Sequence, residues 1–136
     1  MGLDMYLYGA TITFEGESSK MKIQLEEVAY WRKQNAIHNW FVNTVQEGVD
    51  NCALYGVSER HLKKLLVECK KVLENPTPEN AMKILPTLGG FFFGGTDLTN
   101  EYELEYYLGG LKYTVERIRE LLKEDEFEYY YYSSSW

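Results

Sequence analysis

The sequence predicts an α+β fold: a small antiparallel sheet formed by the N- and C-terminal strands, with three to four helices packed on it. Three observations predict it. β-prone runs sit at both ends, "LDMYLYGATITF" from position 3 and "FEYYYYSSSW" from position 127. "KMKIQL" alternates strictly, with Met21, Ile23 and Leu25 on one side and Lys20, Lys22 and Gln24 on the other. Between these ends, apolar residues recur at helical spacing.

The first run is a strand, "EGESS" is turn chemistry, and "KMKIQL" is the returning strand of a hairpin with one wet face. A helix is expected from about Glu26 to Glu47, ended by Gly48. After the "VDNCALYG" connection, Ser58 caps a second helix whose stripe is Leu62, Leu65, Leu66, Cys69, Val72 and Leu73. "NPTP" stops it, and a short helix runs from Thr77 or Pro78 to Leu85, before Pro86. "TLGGFFFGGTD" places three phenylalanines between two glycine pairs, which reads as a short buried strand with glycine turns or as a loop facing a ligand. The last helix carries Leu104, Leu108, Leu111, Val115, Ile118 and Leu122, and Gly109-Gly110 weakens its middle enough to divide it in two. No repeat or linker interrupts the chain, so residues 1–136 are expected to be a single domain.

Composition narrows the function. A net charge of −7 disfavours a binder of DNA or RNA backbone, although one local Arg or Lys can still hold a small anion. The 12 tyrosines serve packing and recognition alike. Cys52 and Cys69 form no C-x-x-C pattern and no disulfide framework. No apolar run approaches a membrane span, and no signal peptide is read. The Met-Gly start has Tyr6 where a myristoylation motif needs Ser or Thr. The expectation is a reduced cytoplasm, with no membrane and no nucleic-acid polymer as partner.

The first long helix carries the chemistry. On a helical wheel Val28, Tyr30, Trp31, Ile37, Phe41, Val42 and Val45 span one apolar arc. Gln34 and His38 fall inside it, four residues apart, with Asn35 at its edge. Arg32, Asn39 and Asn43 project opposite, and Lys33 with Trp40 forms a third patch. Gln34 and His38 are then either core polar groups, each hydrogen-bonded, or the polar tips of a pocket walled by Tyr30 and Trp31. Aromatic faces stack on bases, and amide groups pair with base edges. A catalytic His38 needs a partner that spacing does not identify. His38 and His61 are the only histidines, and no carboxylate stands three or four positions after His38, so no metal is expected. There is no Walker A loop and no G-x-G-x-x-G, and no cofactor is expected.

"MGLDMYLY", "VAYWRKQNAIHNWFV" followed by "GVDNC", "LPTLGGFFFGGT" and "YYYYSSSW", in this order and over nearly the whole chain, resemble a family of small uncharacterised proteins of phage and prophage genomes. The chain departs from that family in its short hairpin turn, where longer insertions are usual, and in Gly109-Gly110, where acidic residues are usual. The family carries no established activity. Small phage proteins often act against host defence, one class by sequestering cyclic-nucleotide or ADP-ribose-type signals in oligomeric pockets, and the resemblance implies such a role by genomic context alone.

The leading expectation is therefore a non-enzymatic, homo-oligomeric protein that sequesters a small nucleotide-type immune signal. Tyr30 and Trp31 stack on the base, and Gln34, Asn35 and His38 read polar edges. Arg32 or Lys33 meets phosphate across a subunit boundary, and Phe91, Phe92 and Trp136 close the pocket. Two alternatives stand beside it: an acidic protein-binding inhibitor of a host factor, and a small nucleotide hydrolase using His38.

Overall fold

The structure, a computed structural model, describes residues 2–16, 20–90 and 93–136. Strands β1 (Asp4–Glu15) and β2 (Lys20–Arg32) form a long hairpin, and β3 (Tyr55–Val57) and β4 (Tyr129–Ser135) complete an antiparallel sheet in the order β2-β1-β4-β3. Helices α1 (Asn35–Val45), α2 (Glu59–Glu74), α3 (Pro78–Ile84) and α4 (Glu101–Glu124) lie between the hairpin and β4. The fold is α+β, and the two terminal strands pair with each other, Asp4 facing Ser135 and Ala10 facing Tyr129.

Strand alternation sorts the sheet into two faces. Met5 and Leu7 of β1, Trp31 of β2 and Tyr130 and Tyr132 of β4 point into the core, where they meet Ile37 and Phe41 of α1, Leu62 and Leu65 of α2 and Leu111 and Ile118 of α4. The ring of Tyr132 stacks on Phe41 at 3.9 Å between centroids. Tyr6, Tyr8, Tyr30, Tyr129 and Tyr131 point the other way.

Capping follows the sequence. Ser58 and His61 form a reciprocal capping box at α2, Thr77 caps α3 with Pro78 in its first turn, and Asn100 accepts from Tyr102 and Glu103 at the start of α4. Asp125 ends α4 in the left-handed conformation.

The structure departs from sequence expectation in three places. Residues 26–32 are strand, not helix, and α1 begins only at Asn35. The cause is a β-bulge: Leu7 faces Ala29 but Tyr8 faces Glu27, so Val28 is an extra residue in β2. Val28 and Ala29 are both buried as a result. The burial pattern then runs 28, 29, 31, which imitates one turn of an amphipathic helix. Second, α4 runs unbroken through Gly109 and Gly110. Third, "YGV" at 55–57 pairs with β4 as a short edge strand that no periodicity announced. Phe91 and Phe92, read as pocket closers, lie outside the described residues, while Gly90 and Gly94 bridge on either side of them. No helix among the described residues is long and apolar enough to cross a membrane.

Candidate functional site

The exit of β2 runs alongside α4, and one stripe of α4 covers its outer edge. Tyr106 donates its hydroxyl to the carbonyl of Arg32. Tyr113 accepts the amide of Tyr30 at 3.1 Å, and Arg117 donates to the carbonyl of Val28. Residues 106, 113 and 117 share a helix face, so a single α4 stripe satisfies backbone groups that an edge strand would otherwise present to solvent.

Between Tyr106 and Tyr113 the stripe is empty, because Gly109 and Gly110 stand there. Gly110 faces the buried amide of Gln34, which occupies the space a side chain would need. Gly109 faces nothing: a Cβ built on it meets no atom within 4 Å. The resulting hollow, about 360 Å³, is walled by Tyr106, Tyr113 and the β2 residues Tyr30 to Arg32, with Glu105 at its rim. A second hollow of about 220 Å³ shares Tyr106 and continues past Lys33, Asn35, Phe93, Gly95, Thr96 and Glu103. Together they form a mostly apolar trough with a few charged tips, the make-up of a small-molecule site.

The sequence-derived candidates separate in this frame. Tyr30 turns its ring to the far face of the sheet, against Tyr6, and its hydroxyl to Asp4. Trp31 is 3% exposed, donates Nε1–H to Thr114 Oγ1 at 2.8 Å, and packs against Phe41 and Tyr113. Its indole is a core group, and neither face is free to stack on a ligand. Arg32 donates to both oxygens of Asp4, at 2.8 and 2.9 Å, and is thereby held toward the far face. Bonding from Tyr30, with help from Arg32, holds the Asp4 carboxyl below the usual carboxylate range. Lys33 adopts a left-handed φ of 51° and lines the second hollow. Among the described residues no carboxylate forms an ion pair with it.

Gln34 donates to the carbonyl of Tyr106 at 3.0 Å, and Asn35 donates to the carbonyl of Gly94 at 3.0 Å, anchoring the glycine-rich loop. His38 is buried beneath a third hollow of about 160 Å³. Its Nδ1 meets the Tyr132 hydroxyl at 2.6 Å and its Nε2 meets Asp50 Oδ2 at 2.9 Å. With a carboxylate accepting at Nε2, that nitrogen carries a proton, and the Tyr132 hydroxyl engages Nδ1. The other oxygen of Asp50 accepts Nε1–H of Trp136 at 3.0 Å, so Asp50 ties the C-terminal residue to α1. Phe93 sits edge-on to His38 at 5.5 Å. Both ring nitrogens of His38 are engaged, which leaves no lone pair directed into the hollow for general-base work.

The structure thus brings Trp31, Lys33, Gln34 and Asn35 to one trough, which Tyr30 and Arg32 border with their side chains turned to the far face, and places His38 and Trp136 beside a different hollow. Sequence reading missed Tyr106, Gly109, Tyr113 and Asp50. The spacing Tyr-x-x-Gly-Gly-x-x-Tyr at 106–113 was a usable signal, since positions three, four and seven apart share a helix face. Set against protein-family models, curated proteins and solved structures, the chain matches none of them.

Proposed function

We propose that this chain is a binding protein that holds a small nucleotide-type ligand in the trough between β2 and α4. The observation that carries the reading is the notch at Gly109. An exposed glycine in a helix interior destabilises it by about 1 kcal/mol relative to alanine. Here no neighbouring side chain explains the glycine, yet two aromatic rings flank it. A flat ring entering between Tyr106 and Tyr113 approaches the helix backbone as closely as only glycine allows. Beyond Tyr106, the Lys33 ammonium supplies a point charge for a phosphate, and Glu103 supplies an acceptor for sugar hydroxyls. Held without turnover, such a ligand is sequestered, which is the role that the resemblance to phage proteins implies.

The test is a panel of mononucleotides, cyclic mono- and dinucleotides and ADP-ribose derivatives, read by thermal melting and then calorimetry. A true ligand at a hundred times its Kd stabilises the fold by about 2.7 kcal/mol. Chromatography of the released ligand should return it chemically unchanged. No melting shift across the panel would remove the reading, and a hydrolysed product would replace it with an enzyme. Gly109→Leu puts a side chain into the notch, starting from a Cβ that meets no atom within 4 Å, and is expected to abolish the shift while leaving the chain folded.

A further inference from the structure

We propose that the sheet face turned away from the helices is a self-association surface, on which a second copy of this chain packs sheet to sheet. Cross-strand pairing places Asp4, Tyr6, Tyr8, Ala10, Ile12 and Phe14 of β1 on that face. Opposite them stand Arg32, Tyr30, Glu27, Leu25, Ile23 and Met21 of β2, and Tyr129, Tyr131, Ser133 and Ser135 of β4. None of these side chains belongs to the core cluster, and among them Ala10 alone is buried. Phe14 is 72% exposed, Met21 58% and Tyr129 52%. Monomeric proteins rarely leave so continuous an apolar surface in water.

The hairpin makes the case sharper. β4 pairs with β1 only as far as Ala10, while the β1–β2 ladder continues to Glu15 and Lys20. Among the described residues the distal arm of the hairpin therefore has no third strand beside it, and two-stranded ribbons are marginal alone in water. It is amphipathic in an unusual sense. Its helix-side face carries Thr11, Thr13, Lys22 and Gln24, and its outward face carries Ile12, Phe14, Met21, Ile23 and Leu25. The apolar side of the arm thus continues the open tyrosine face rather than the core.

Charge and area select the occupant. The chain carries a net charge of −7, yet the open face bears only Asp4, Glu27 and Arg32, and the first and last of these pair with each other. Two like-charged copies can approach through such a face, because packed sheets lie about 10 Å apart and salt screens charges beyond about 8 Å. Nucleic acid and anionic lipid are disfavoured by the same count, since the face has no surplus of cations. An outward residue covers about 33 Å² in plan, from strand spacings of about 4.8 and 6.8 Å. The sixteen residues of this face therefore span roughly 500 Å² before side-chain relief is added. A stable interface needs about 800 Å² of accessible surface per partner, which projecting side chains such as Phe14 and Met21 bring within reach. A two-fold axis lying between the sheets and across the strands lays each arm over Tyr6 and Tyr30 of the other copy, so both apolar arms are covered at once.

Sedimentation at 1–100 μM without added nucleotide tests this independently of the ligand reading. The wild-type chain is expected at twice the monomer mass. Phe14→Glu with Ile23→Glu is expected to weaken association at least a hundredfold, while Thr13→Glu, on the opposite side of the same arm, leaves it unchanged. Tyr131→Glu repeats the disruption away from the arm, in case the double variant fails to fold. A wild-type monomer at 100 μM overturns the proposal, whether or not it then floats with anionic vesicles. Equal loss of association by Thr13→Glu also overturns it.

Discussion

The side-chain amide of Gln34 occupies the space above Gly110 on α4, so these two residues fit only as a pair. Gly109, the preceding residue, projects about 100° away around the helix, where a Cβ meets open space. Adjacent glycines in one helix therefore carry opposite expectations. Gly109→Ala should stabilise by about 1 kcal/mol through helix propensity alone. Gly110→Ala gains the same propensity but forces Gln34 from its place, an overpacking cost of about 1–3 kcal/mol. With roughly 3–5 °C per kcal/mol for a chain of this size, the two melting temperatures should fall on opposite sides of wild type. Two alanines that raise the melting temperature equally would show that Gln34 is not fixed against α4.

Part of this was legible in the residues. The fold class followed from β-prone ends and helical stripes, and α2 and α3 followed from their caps, because those signals are local and uncontested. The exit of β2 was not legible, because one extra residue, Val28, makes a strand imitate a helix over 28–31, and the bulge depends on where β1 places Leu7 and Tyr8. Trp31 and His38 were read as ligand contacts because their polar partners, Thr114, Tyr132 and Asp50, lie 12 to 94 residues away in sequence. In the proposed function the stacking role falls instead to the trough tyrosines of α4. Two polar groups in an apolar arc look the same whether water or a distant hydroxyl satisfies them.

His38→Ala offers a direct measure of that distinction. The substitution leaves the buried hydroxyl of Tyr132 without its partner and frees Asp50 from α1. An unsatisfied buried polar group costs about 1–3 kcal/mol. Denaturant melts should show a loss in that range, together with a red-shifted Trp136 emission as the Asp50 tie loosens and the indole meets more water. Unchanged stability would return His38 to the role of a solvent-facing pocket group.

Alkaline pH should destabilise the fold in a definite order. Burial pushes the thiol of Cys69 and the hydroxyls of Tyr107 and Tyr132 well above their ordinary values. The folded state therefore keeps protons that the unfolded state releases, and stability falls as pH rises past the unfolded values, about 8.5 for Cys and 10 for Tyr. The melting temperature should decline from near pH 9, and more steeply above pH 10. In the same native protein, a thiol reagent at pH 8 should modify the half-buried Cys52 and spare Cys69 until denaturant is added. Rapid modification of both thiols under native conditions would contradict the burial of Cys69.

Trp31→Phe separates the two places where a base could stack. The indole N–H donates to Thr114, whose own hydroxyl donates on to the carbonyl of Gly110, so the chain of bonds runs from β2 into the helix wall. Phenylalanine keeps an aromatic ring there but loses the N–H, at about 0.5–1.5 kcal/mol for one hydrogen bond. If the trough tyrosines hold the ligand, Trp31→Phe lowers the melting temperature by several degrees and leaves affinity within about threefold, less than the roughly 1.4 kcal/mol of a tenfold change. Tyr113→Leu removes a stacking face worth about 1–3 kcal/mol, and affinity should fall ten- to a hundredfold. Calorimetry on both variants with the same nucleotide decides between them. A larger affinity loss for Trp31→Phe than for Tyr113→Leu would mean that the indole, not the α4 stripe, meets the ligand.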